Sequence, residues 1–124
     1  QLTAASILFE QGSSHLTLPE QLQQVRRVAE MLRQLDDLAH LAGAAVTVTI
    51  VGQTDVVGGP HQNRRLSESR ARAVFDAIHP TAFHALTFHT RGMTPETDVQ
   101  RPTPAMAHPQ HRRVSLDVTI QPVP

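Results

Sequence analysis

Thr54-Asp55-Val56-Val57-Gly58-Gly59-Pro60-His61-Gln62-Asn63-Arg64-Arg65-Leu66-Ser67-Glu68-Ser69-Arg70-Ala71 is the stretch from which the rest of this chain is read. It follows Val46 to Val51, a run rich in β-branched residues that suits a strand. Asp55 falls in the loop just beyond, and Gly58-Gly59-Pro60 turns the chain. Asn63, Leu66, Ser67, Arg70, Ala71 and Val74 then recur at the spacing of one helical stripe. Asn63 reads as the N-cap, accepting a backbone N–H that has no helical partner. The helix is expected to run from about Asn63 to Ile78 and to stop before Pro80. Arg70 would sit about 10 Å up its axis. Helical side chains lean toward the N-terminus, so a long arginine reaches back over the first turns toward Asp55. An acid and a base held this way suit a zwitterion: the carboxylate takes an ammonium and the guanidinium takes a carboxylate. The same spacing also suits a loop carboxylate tied to its own helix by a structural ion pair.

Working outward, Ser6 to Glu10 reads as a short apolar strand. Pro19 and Glu20 open a long helix with Leu22, Val25, Ala29, Leu32, Leu35 and Leu38 on one face. Gly43 ends it, suited to a left-handed cap. Leu86 to Thr90 reads as a third strand. Near the end, Val114, Leu116, Val118 and Ile120 alternate with Ser115, Asp117 and Thr119, the pattern of a strand with one wet face. The order β-α-β-α-β-β predicts an α+β two-layer sandwich, with both helices on one face of a mixed sheet. Asp55 then follows the carboxyl end of a strand, where open sheets bind ligands.

These residues carry a family pattern. Thr54-Asp55-x-x-Gly58, followed by Asn63-x-x-Leu66-Ser67-x-x-Arg70-Ala71-x-x-Val74, resembles the OmpA-like peptidoglycan-binding domain. Arg91-Gly92-Met93 resembles that family's glycine turn after the third strand, Arg112-Arg113-Val114 its double arginine, and Ile7-Leu8-Phe9 its entry strand. The resemblance implies one such domain over residues 1–124, with its core at about 6–121. It implies non-catalytic binding of the peptidoglycan stem peptide, with Asp55 and Arg70 gripping diaminopimelate. By the same motif it implies Thr54, Asn63, Leu66 and Arg112 as further ligand-binding residues. Arg112 and Arg113 are neighbours in a strand and face opposite ways. One of them, Arg112, is expected to border the pocket. The resemblance also implies a periplasmic domain whose parent protein is held at a membrane, the outer membrane included. His111 stands where the family has Asn, and residues 94–110 are rich in proline. These departures keep a second reading open: an OmpA-like interaction or assembly domain that has lost peptidoglycan binding.

Composition narrows the function classes. The 124 residues are 40% hydrophobic, enough to bury one core. The 11 basic and 11 acidic residues cancel, so no overall field draws in nucleic acid or an acidic membrane surface. There is no cysteine, and so no disulfide or thiolate chemistry. No apolar run is long enough to span a bilayer. The first residue is Gln, which suits a fragment of a longer protein. Neither a carboxylate pair nor an activated nucleophile is visible, so no enzyme is expected. Ser67 reads as a helix-face hydroxyl. The eight histidines form no HExxH pair, so neither a metal site nor a cofactor is expected. His61 stands out because it lies in the candidate ligand loop.

Overall fold

The computed structural model describes residues 2–10, 13–54, 59–78, 83–93 and 113–121. The elements are β1 (Leu2–Leu8), α1 (Pro19–Ala42), β2 (Ala45–Gln53), α2 (Pro60–Ile78), β3 (Leu86–Met93) and β4 (Arg113–Gln121). They form a four-stranded mixed sheet in the order β1-β4-β2-β3. β2 and β3 are parallel, which requires a crossover, and α2 supplies it. β4 lies antiparallel to both β1 and β2. The expected α+β architecture is the one observed.

The core is built from alternate residues of the strands against one stripe of each helix. Val46, Val48 and Ile50 of β2, with Val114 and Leu116 of β4, share one cluster with Val28 and Leu32 of α1 and Val74 of α2. Phe88 on β3 meets Phe75 of α2 edge-on, centroids 6.4 Å apart, and Phe83 at 5.3 Å, favourable aromatic arrangements.

Helix α1 departs from the predicted face. Leu38 is 65% exposed and Leu22 is also exposed, whereas Gln21 and Asp36 are buried beside Val25, Val28, Ala29, Leu32 and Ala39. The polar pair occupies core-facing positions because each has backbone partners. Gln21 Oε1 accepts the N–H groups of Thr17 and Leu18, and its Nε2 donates 3.0 Å to the Leu8 carbonyl. Asp36 accepts from the His84 N–H and, at 2.6 Å, from the Ala85 N–H, which fixes the entry into β3. Gly43 ends the helix as expected, with φ 69°. The N–H groups of Gly43 and Ala44 return to the His40 and Ala39 carbonyls, closing the helix end.

Three other boundaries differ. β1 covers Leu2–Leu8 rather than Ser6 to Glu10, because pairing with β4 carries the ladder back to Leu2. α2 starts at Pro60, so Asn63 is not its N-cap. Proline suits the first helical position, where its missing N–H has no partner to lose, and Asn63 N–H donates 2.9 Å to the Gly59 carbonyl. Arg91-Gly92-Met93 is strand rather than turn, in register with Val51-Gly52-Gln53.

The paired glycines explain that extension. A Cβ on Gly52 would overlap the Ser67 carbonyl oxygen and lie 2.9 Å from the Ala71 nitrogen. A Cβ on Gly92 would meet Ser67 Oγ and Glu68 Cγ. The adjacent bare positions let α2 settle closely on β2 and β3. In β4, Ile120 is 51% exposed at the strand end and Ser115 is buried between Val114 and Leu116, so the predicted alternation holds only from Leu116 to Thr119.

Candidate functional site

Arg70 is the largest fully buried side chain among the described residues, at 0% exposure. Its stripe on α2 is the inner face predicted for it: Asn63, Ser67, Arg70, Ala71 and Val74 are all buried. The guanidinium reaches back toward the helix start. Nε donates to the Ser13 carbonyl at 2.8 Å, Nη1 to Gln53 at 2.9 Å and Nη2 to Glu10 at 3.0 Å. Its carbon lies 5.4 Å from the centre of the Phe9 ring, a cation–π distance. One side chain thus joins the exit of β1, the approach to α1 and the end of β2. Three carbonyls hold the guanidinium plane in one orientation, and the burial makes its charge strongly felt nearby.

Gln53, the β2 residue that receives Arg70, is followed directly by Thr54. Thr54 Oγ1 is buried and has no hydrogen-bond partner. Asn63 Nδ2, on the buried stripe of α2, is the second such atom among the described residues. Buried polar atoms are normally paired, because leaving one unpaired costs about 1–3 kcal/mol. Thr54 directly follows the residue whose carbonyl takes Arg70, and Asn63 lies two turns before Arg70 on the same buried stripe of α2.

Of the other predicted site residues, Leu66 is half-buried on α2. Asp55 and Arg112 lie outside the described residues, as do residues 94–110 and His111. Arg113 is half-buried, and its Nε donates 3.2 Å to Gln53 Oε1. It therefore contacts the residue whose carbonyl orients Arg70. His61 is exposed in the first turn of α2 rather than in the preceding loop. Ser67 Oγ donates 2.8 Å to the Arg64 carbonyl, so its hydroxyl serves its own helix. Among the described residues, no group of three or more His, Cys, Asp or Glu is placed to hold a metal ion. No helix there is long and apolar enough to cross a membrane.

The residues missed by sequence reasoning are those that hold Arg70: Glu10, Ser13 and Gln53 act through their backbone carbonyls, which leave no mark in side-chain identity. Phe9 had a signal, as an aromatic residue at the end of an apolar strand.

The model of the OmpA family matches residues 8–112, most of the chain. The chain belongs to the OmpA family. A probable lipoprotein of Escherichia coli, YiaD, is 33% identical over 76 residues, covering 61% of this chain and 34% of its own length. The matched segment thus spans about a third of that lipoprotein. Among solved structures, the C-terminal domain of Helicobacter pylori MotB superposes with a TM-score of 0.64 at 16% identity, over 94% of this chain and 84% of that one. The peptidoglycan-associated lipoprotein of Burkholderia pseudomallei gives 0.62 at 19% identity, over 92% and 89%. The OmpA-like domain of FopA1 from Francisella tularensis gives 0.62 at 17%, over 96% and 72%. At these identities the structures share the fold. The OmpA-family glycine motif around Gly92 is built here as strand, packed under Ser67.

Proposed function

We propose that this OmpA-family chain is a non-catalytic peptidoglycan-binding domain, spanning residues 1–124, that takes the diaminopimelate of the stem peptide. The observation that carries the reading is the unpaired Thr54 hydroxyl and Asn63 amide beside the buried Arg70. Diaminopimelate offers the matching chemistry: a carboxylate for the guanidinium, with polar atoms to satisfy the hydroxyl and the amide. Asp55, one residue after Thr54, takes the ammonium. Leu66 covers the aliphatic stem of the ligand, and Arg112 borders the pocket. The site needs no cofactor and no metal. The domain works in the periplasm and tethers a membrane-anchored parent protein to the wall. Similarity to a peptidoglycan-associated lipoprotein and to a probable lipoprotein supports this reading.

A second reading has its own observation. Arg70 is wholly buried and donates to three carbonyls, as a purely structural arginine would. On that reading the domain keeps the OmpA-family fold and serves assembly. Co-sedimentation with purified sacculi separates the two. Binding should carry the protein into the pellet without releasing soluble fragments. A protein that stays in the supernatant supports the assembly reading, and steady fragment release would reveal an enzyme.

A further inference from the structure

A groove of about 610 Å³ runs between the outer face of α2 and the edge of the sheet, apart from the buried Arg70. Its helical wall is Arg65, Glu68, Ser69 and Arg72, all exposed. One turn further on, exposed Asp76 continues the stripe, 3.7 Å from Arg72. The stripe therefore runs base, acid, serine, base, acid. In the reverse direction base and acid exchange places. An antiparallel copy of this helix laid alongside would set Arg65 against Asp76 and Glu68 against Arg72, each pair occurring twice, with the small Ser69 near the crossing. Arg65 and Glu68 have no ion-pair partner among the described residues.

The strand leads to the same centre. Among the described residues β3 is an edge of the sheet and pairs only with β2, so one side of its backbone is open to another strand. Ser67 lies against both Gly52 and Gly92, so α2 sits over the gap between β2 and β3. A second β3 added antiparallel would bring its own α2 two strand spacings away, about 10 Å. Packed helices lie about 8–10 Å apart. Gly92 lies under Ser67 and Glu68, and Phe88 meets Phe75. Thr90, between them, is thus level with the middle of the Arg65–Asp76 stripe. A two-fold axis through Thr90 sets threonine opposite threonine, a favourable cross-strand pair. It also sets Phe88 opposite Gly92 of the second copy, where a ring covers a bare edge glycine. One axis therefore suits both strand and helix. On the opposite face of the sheet Arg91 stands across from His89 of the second copy, so the α2 stripe, not that face, sets the register.

We propose that β3 and the outer stripe of α2 form a two-fold interface between two copies of this chain. The two four-stranded sheets join into one, and each α2 fills the groove beside the other. Backbone pairing holds the strands, and the self-complementary charge stripe selects a second copy over other partners. The interface uses neither Thr54, Asn63 nor Arg70, and it is independent of what that site binds.

Sedimentation equilibrium of the chain over a range of concentrations tests this. A monomer–dimer equilibrium is expected, weakened by added salt. Glu68→Arg sets like charges against Arg72 on both sides of the axis. It should weaken the dimer about tenfold or more and leave the melting temperature of the dilute chain unchanged. Adding Arg72→Glu to that variant restores opposite charges across the axis and should restore the dimer. The chain has no cysteine, so Ser69→Cys supplies a single thiol near the axis. Oxidation should link two copies of that variant and should not link Arg33→Cys, whose thiol lies on α1. Alternate amides of Leu86–Met93 should exchange more slowly as the concentration rises. A chain that stays monomeric at every concentration overturns the proposal. So does a dimer that ignores Glu68→Arg, that the second substitution does not restore, or that leaves the β3 amides unprotected, because association then uses another face.

Discussion

Arg70 Nη1 donates to the Gln53 carbonyl across 2.9 Å, fastening the middle of α2 to the last residue of β2, two residues before Asp55. This bond makes the site and the fold interdependent. The arginine that the family motif assigns to ligand also closes the junction between β1, α1 and β2.

Arg70→Ala should therefore unfold the chain or destabilise it by about 3–5 kcal/mol. It removes the donor shared by three part-buried carbonyls and opens a cavity where the largest fully buried side chain among the described residues stood. Urea unfolding of Arg70→Ala and Arg70→Lys checks this: lysine restores a charge but not the fixed fork of donors, so recovery should be partial.

Thr54→Val should raise stability by about 1 kcal/mol and weaken ligand binding. The hydroxyl is buried without a partner, so removing it from the unliganded protein relieves a desolvation penalty. A melting curve and a binding isotherm on the same sample check both halves. A lower melting temperature would mean that the hydroxyl is satisfied in solution.

Gly52→Ala should destabilise more than Gly92→Ala. At Gly52 the new methyl meets the backbone of Ser67 and Ala71, which cannot move without displacing α2. At Gly92 its two nearest atoms belong to the Ser67 and Glu68 side chains, which can rotate, and the Glu68 backbone nitrogen lies at 3.0 Å. Overpacking of this kind costs about 1–3 kcal/mol, with Gly52 at or above the upper end. Paired urea titrations give the ranking.

Asp36→Ala should cost about 3 kcal/mol and loosen the start of β3. The carboxylate accepts backbone N–H groups from His84 and Ala85, and alanine supplies no acceptor. Faster hydrogen exchange at those two amides, beyond the global change, would show the loss locally. Asp36→Asn keeps one acceptor oxygen and should fall in between.

The element order was legible because each element has its own period: β-branched alternation in β2, a 3.6-residue stripe in α2. For that reason Asn63, Ser67, Arg70, Ala71 and Val74 of the predicted stripe are buried, with Leu66 half-buried at its margin. What stayed hidden was set by the backbone. Asp36 and Gln21 are polar residues of α1, yet both are buried, because their partners are main-chain groups far along the chain. Leu38 looked like core and faces outward, since apolar identity alone does not fix the angle of a helix to its sheet. Arg91 to Met93 resembled the family's glycine turn. In the fold Gly92 suits a strand instead, where the helix leaves no room for a side chain. The candidate site was legible in part: Arg70, Thr54 and Asn63 were visible in the motif, whereas the carbonyls that orient Arg70 had no signature.

The most direct test of the central claim is calorimetric titration of the parent chain and Asp55→Ala with a diaminopimelate stem peptide. Asp55→Ala changes neither the Arg70 side chain nor the residues whose carbonyls it meets. Losing one side of a desolvated charge contact costs about 2–5 kcal/mol, equivalent to some 30-fold or more in affinity. The account predicts that the parent binds, and that Asp55→Ala loses at least that factor while melting within a few degrees of the parent. Equal binding by both proteins, or none by the parent, would contradict it.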